Sequence, residues 1–204
     1  MPKPTFFRIA ETKRKAFIHE AFKEFSLQEY EAASISNLVK SLDIAKGSVY
    51  QYFEDKEDLY NFLVLEADDQ INSLVDKACK YQKEDFFDWY TKLLMVEVKF
   101  MLSFPQYAVL LIKLTTAIAT PQKQLATQIS QRRLERISKV LPVSLSDSLI
   151  IDQLLADSSY TIFKILTASI NLQKLISANG IIEVDSSKLV TLCTSLVDKL
   201  KNGL

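Results

Sequence analysis

Six residues in a stretch of seven, Lys46, Gly47, Ser48, Tyr50, Gln51 and Tyr52, offer an ammonium, three hydroxyls, a carboxamide and one backbone position without a side chain. This is chemistry for binding rather than turnover. Lysine and hydroxyl groups grip phosphate oxygens, and glutamine carries the paired donor and acceptor that match an adenine edge, so the set suits a nucleic-acid duplex. Val49 and Phe53, four residues apart, give the stretch an apolar side. Upstream, Ile35, Leu38, Val39 and Leu42 follow the i, i+3, i+4, i+7 spacing of one helix face, with Ser34 placed as N-cap. Asp43-Ile44-Ala45 interrupts the two patterns. Two short amphipathic helices joined by such a turn spell a helix-turn-helix over residues 34–53, whose second helix enters a DNA major groove.

Nothing comparable supports catalysis. His19, the only histidine, lies mid-helix beside Glu20 without a serine or cysteine at a recognisable spacing. No H-E-x-x-H, P-loop, dinucleotide fingerprint or paired-cysteine motif occurs, so neither an enzymatic activity, a metal nor a cofactor is expected. Cys79 and Cys193 are isolated, no apolar segment follows a basic N-terminus, and the chain is expected to be reduced and cytoplasmic. The longest apolar stretch, Tyr107 to Ala119, is interrupted by Lys113 and falls short of the roughly 20 residues of a membrane-spanning helix.

The elements that must position the binding residues are helical. The 204 residues contain three glycines and five prolines, are 48% hydrophobic, and show no alternating runs bounded by hairpin turns, so an all-α fold with a sizeable core is expected. Net charge is zero. Residues 1–60 hold nine basic and ten acidic side chains, a weak electrostatic footprint for a DNA binder, which predicts weak non-specific binding and a modest salt dependence.

In order, Phe17, Ile18, Ala21, Phe22, Phe25, Tyr30, Ser34-Ile35, Leu38-Val39, the KGSVYQYF run from Lys46 to Phe53, and Lys56 to Leu59 resemble the N-terminal DNA-binding domain of the TetR family of bacterial transcriptional regulators. The match runs without a gap from Phe17 to Leu59. The resemblance implies a three-helix DNA-binding head, residues 1–60, and a helical effector-binding and dimerisation body, residues 61–204. It assigns DNA contacts to Ser34, Lys46, Gly47, Ser48, Tyr50, Gln51, Tyr52 and Lys56. It implies a homodimer formed through the last two helices on a palindromic operator, with repression relieved by a small hydrophobic effector. A candidate effector pocket comprises Phe86, Trp89, Tyr90, Phe100, Phe104, Tyr107 and Phe163. Plain core packing is the alternative for each of these aromatics.

This sequence departs from the family pattern at three positions. Ala45 stands where a capping Ser or Thr is usual, Glu29 replaces a glycine between the first two helices, and Asp43 replaces one in the turn, where a left-handed backbone is tolerable for Asp. Two other readings stay open: a DNA-binding protein without an effector, and a ligand-binding helical protein with a vestigial head.

The remaining pattern predicts a loose arm at residues 1–5, a first helix from Phe6 to Phe25, and a long connector from Lys56 past Val75. Further helices are expected over Asp85 to Phe104, Gln106 to Ala119, Gln122 to Leu141, and Ser146 to Ala178, the last closed by Asn179-Gly180. Asp185 caps a final helix carrying Leu189, Leu192, Leu196 and Leu200.

Overall fold

The computed structural model describes residues 1–80, 85–115, 120–141 and 149–203, and all regular structure among them is α-helical. In chain order the helices are α1 (Pro4–Arg8), α2 (Glu11–Leu27), α3 (Ile35–Leu42), α4 (Lys46–Tyr52), α5 (Lys56–Ala78), α6 (Phe86–Ser103), α7 (Pro105–Thr115), α8 (Thr120–Ser138), α9 (Leu149–Thr167), α10 (Leu172–Ser177) and α11 (Ser186–Gly203). The expected all-α class holds.

Two boundaries correct the sequence expectation. The single first helix is two, because Ile9 and Ala10 are extended and turn the chain back. Phe6 and Phe17 would lie about 16 Å apart along one continuous helix. Their rings are instead 5.5 Å apart, and Phe6 is fully buried. Burial of that side chain draws α1 onto α4, and residues 1–5 are not a loose arm. The long helix expected up to Ala178 ends at Thr167, and α10 follows as a separate turn-bounded piece. Asn179, rather than Gly180, adopts the left-handed conformation, with φ 54°. Gly180 is needed for another reason: a Cβ there would stand 3.1 Å from Leu175 Cγ and 3.3 Å from its carbonyl oxygen. Residues 116–119 and 142–148, on which parts of the expected helices fall, lie outside the described residues.

In the head, α2, α3 and α4 pack on the first turns of α5 around two groups of rings. Phe53 lies 5.0 Å from Phe6, 5.8 Å from Phe17 and 5.4 Å from Phe62. Tyr60 meets Tyr30 at 5.0 Å and Phe25 at 5.4 Å, and burial pushes its phenol up to about 12. Edge-to-face and tilted pairs, with Phe17 and Phe53 near parallel, add to the burial of large apolar surface.

In the body, α6 packs against α5, α9 and α11, and α7 against α2 and α8. Here the links are ionic as well as apolar. The Arg133 guanidinium donates from Nε and Nη2 to the two Glu97 oxygens at 2.9 and 2.8 Å, with both side chains largely buried. Burial opposes the guanidinium charge, but Glu97 outweighs it, and the Arg133 pKa is raised. Arg132 reaches Asp68 at 2.7 Å, and Arg136 reaches Asn72 at 2.7 Å and Asp76 at 3.4 Å. Residues 68, 72 and 76 stand four apart on α5, as do 132 and 136 on α8, so the two helices meet along matched polar rows.

No single helix among the described residues is long and apolar enough to cross a membrane. The pair α6 and α7 passes only together, bent by 114°, and its apolar side chains are largely buried.

Candidate nucleic-acid interface

Serine 34 begins the motif as expected of a cap. Its Oγ accepts from the Ser36 amide at 3.1 Å, while its own amide donates to Glu24 Oε1 at 2.8 Å, and the same Glu24 oxygen accepts from Asn37 Nδ2 at 3.2 Å. Glu24, which the sequence did not single out, therefore ties the start of α3 to α2. Its signal was a carboxylate one turn from the end of a helix and ten residues before a capping serine. The turn closes through Asp43 in the left-handed conformation, φ 51°, with the Ile44 amide donating to the Val39 carbonyl at 3.1 Å. Aspartate thus takes the glycine's place in the turn. The replacement at Glu29 carries no such strain, since Asp43 and Asn179 alone among described non-glycine residues have positive φ. Its carboxylate pairs with Lys113 of α7 at 3.2 Å.

Alpha-4 sits on this platform by one buried side chain within its span, Val49, and by Phe53 just beyond it. Its first turn has no side-chain cap, as the alanine at position 45 implied. Lys46, Gly47, Tyr50 and Gln51 are exposed and Ser48 is half-buried. A Cβ built on Gly47 meets nothing within 4 Å, and the residue's φ is not positive, so neither packing nor backbone geometry inside the chain calls for glycine there. Close approach of something outside would.

Two of the expected contact residues are placed differently. Tyr52 is half-buried, its ring 5.6 Å from Phe6 and 5.9 Å from Phe17, so most of its surface packs on the head core. Lys56 turns inward. Its Nζ donates to the carbonyls of Tyr30, Glu31 and Ala33 at 2.8, 3.2 and 3.3 Å and lies 4.5 Å from the Tyr30 ring centroid. The ammonium holds together the loop before α3, and a phosphate would have to compete with three carbonyls. Without DNA, the side chain expected to meet a phosphate is thus engaged within the head.

The expected effector-pocket aromatics do not line one space. Phe86, Trp89 and Tyr90 pack together at the start of α6, with Trp89 Nε1 donating to the Cys79 carbonyl at 3.1 Å. Phe100, Phe104 and Tyr107 form a second group at the α6–α7 corner, where Phe22 of α2 stacks on Tyr107 at 3.7 Å. Phe104 is 41% exposed, and Phe163 is buried elsewhere in α9. A cavity of about 20 Å³ is lined instead by Asp68, Asn72, Glu97, Arg133, Ser159 and Tyr160 together with aliphatic side chains. That is room for one water. None of the seven aromatics lines it. Among the described residues no group of three or more His, Cys, Asp or Glu side chains is placed to hold a metal ion. Both cysteines are buried, and burial pushes the Cys193 thiol up to about 11.

Residues 17–62 match the family model described as bacterial regulatory proteins, tetR family. Among solved structures, a TetR family transcriptional regulator from Chloroflexus aurantiacus J-10-FL superposes with a TM-score of 0.76 at 24% identity, covering 100% of this chain and 98% of that one. A TetR-like transcriptional regulator from Rhodococcus sp. RHA1 gives 0.64 at 12% identity, over 97% and 100% of the two chains. The fatty acid degradation regulator FadR from Bacillus halodurans gives 0.56 at 16% identity, over 93% and 98%. These likenesses concern the fold. No curated protein matches the chain in sequence.

Proposed function

We propose that this chain, a TetR-family transcriptional regulator by its residues 17–62, works as a homodimeric repressor that reads a palindromic operator through α4. The observation that carries the reading is the make-up of α4: a row of exposed polar side chains beside Gly47, a glycine that nothing within the protein requires. Lys46, Ser48, Tyr50 and Gln51 meet bases and phosphates, Ser34 holds the entry of α3 beside them, and Tyr52 acts chiefly as an anchor. The dimer would set two copies of α4 roughly 34 Å apart, one helical turn of DNA. Residues 1–60 are the head and 61–204 the body, with α5 crossing the boundary. The protein would act in the cytoplasm.

Dimerisation is assigned to α9 and α11, where Ile165 and Val190 are exposed at 51% and 42%. A strict monomer at micromolar concentration, measured by light scattering, would rule this out. The effector is assigned to the body as a small hydrophobic molecule, and the regulator of fatty acid degradation that shares the fold makes an acyl chain the first class to test. The division of the seven candidate aromatics among separate clusters favours a second reading, a DNA-binding regulator with no small-molecule effector. Loss of operator binding on adding an acyl ligand would exclude it.

The deciding experiment is selection of bound sequences from a random duplex pool, with Tyr50→Ala/Gln51→Ala as control. An enriched palindrome that disappears in the control is expected. No enrichment at low salt would overturn the reading.

A further inference from the structure

Alpha-4 is too short to stand alone. Seven residues lie far below the length at which an isolated helix persists in water, and this one has no side-chain cap at its start and no basic residue in its last turn. Its final carbonyls, those of Tyr50, Gln51 and Tyr52, are the groups a helix end leaves without partners. All three are met by the N-terminal segment. Lys3 Nζ donates to the Tyr50 carbonyl at 2.9 Å, the Thr5 hydroxyl donates to that of Gln51, and the Lys3 amide donates to that of Tyr52 at 2.7 Å. The Lys3 ammonium also places positive charge at the negative end of the helix dipole.

The segment is itself held in place. Phe6 is fully buried, with rings of Phe17 at 5.5 Å, Tyr52 at 5.6 Å, Phe53 at 5.0 Å and Phe62 at 5.6 Å. It therefore joins the C-terminal end of α4 to both α2 and α5. Lys3 and Thr5, on either side of Pro4, are brought to the last turn of α4 by that anchor.

We infer that α1 and the two residues before it form the C-terminal cap of the recognition helix, and that Lys3, Thr5 and Phe6 are positioning residues for DNA reading. The inference rests on the assignment of α4 as the reading helix. Tyr50 and Gln51 carry their side chains on the same turn whose carbonyls the cap satisfies, so fraying of that turn displaces both. The cap therefore governs how well bases are discriminated rather than how strongly phosphates are held.

Two readouts on Lys3→Met/Thr5→Val test it, with Lys3→Arg/Thr5→Ser as the conservative variant and Phe6 left intact so that the head core is kept. Amide hydrogen exchange of Tyr50 to Phe53 in the DNA-free protein should quicken roughly tenfold in the first variant, the effect of two lost hydrogen bonds, and stay near the parent rate in the second. Unchanged exchange would overturn the cap. On DNA, affinity for the selected operator should fall roughly tenfold while affinity for unrelated duplex and the salt slope are kept. A uniform loss on both DNAs with a slope smaller by about one would make Lys3 a phosphate contact and overturn the positioning role. If the parent protein enriches no sequence, the DNA assignment fails and the positioning role with it. Exchange, read without DNA, tells that failure from failure of the cap.

Discussion

Only three residues separate α4 from α5, yet the two helices are held in opposite ways. Helix α4 buries one side chain of its own and takes its end contacts from other parts of the head. The connector runs for 23 residues, buries nine of them, and begins with its own cap, the Asp58 amide donating to Asp55 Oδ1 at 2.8 Å. One helix leaves most of its surface open, and the other joins two cores. A helix that offers its side chains outward cannot also anchor itself with them, so its anchors must come from elsewhere in the sequence.

The comparison can be broken first in the body that the connector enters, at the pair joining α6 to α8. Arg133→Met leaves Glu97 buried without its partner and should lower unfolding free energy by about 3–5 kcal/mol, read from the denaturant midpoint at constant m-value. Adding Glu97→Leu should recover most of the loss. A double variant as weak as the single would show that the pair is not what couples α6 to α8.

Lys56→Met tests the start of α5. It frees three carbonyls of the loop before α3 and should cost about 1–3 kcal/mol, measured by thermal melting of the head. The salt slope of DNA binding should not change. A slope smaller by about one would return Lys56 to the phosphate role that its inward geometry argues against.

A gentler change sharpens the contrast at α4 itself. Gly47→Ala meets open space at a residue whose φ is not positive, so it should stabilise the free protein by about 0.5–1 kcal/mol through helix propensity. Operator affinity should fall in the same variant, since a methyl group would stand where DNA approaches. Gains in both stability and affinity would remove the argument from Gly47.

The smallest effect concerns Asp68 of α5. Its carboxyl lies above the ordinary carboxylate range because burial outweighs the pairing with Arg132. A group whose pKa is raised on folding binds its proton more tightly in the folded state. Its contribution is therefore fully present below the unfolded value, about pH 4, and declines as pH rises through the folded value. Asp68→Asn should flatten that part of a plot of stability against pH, and an unchanged slope would assign it to other groups.

How much was legible follows from the same contrast. The motif could be read because its pattern is local: Ile35, Leu38, Val39 and Leu42 mark a helix face, Ser34 a cap, and Asp43 a residue able to turn left-handed. The inward reach of Lys56 was not legible, because a lysine's sequence neighbours do not reveal which carbonyls lie within reach of its long side chain. The aromatics of α6 share a helix, but the structure divides them between its two ends. The matched spacing of Asp68, Asn72 and Asp76 with Arg132 and Arg136 was present in the sequence, yet nothing local paired residues sixty or more apart.

By itself, then, the sequence determined the helical class, the turn at Asp43 and the polar face of α4, since periodicity, capping and backbone preference act over a few residues. Tertiary structure alone decided that residues 1–5 are part of the head, that Phe6 folds back onto Phe17 and Phe53, and that Arg133 of α8 pairs with Glu97 of α6. Those outcomes depend on burial and hydrogen bonding between distant segments, whose free energies no local pattern records.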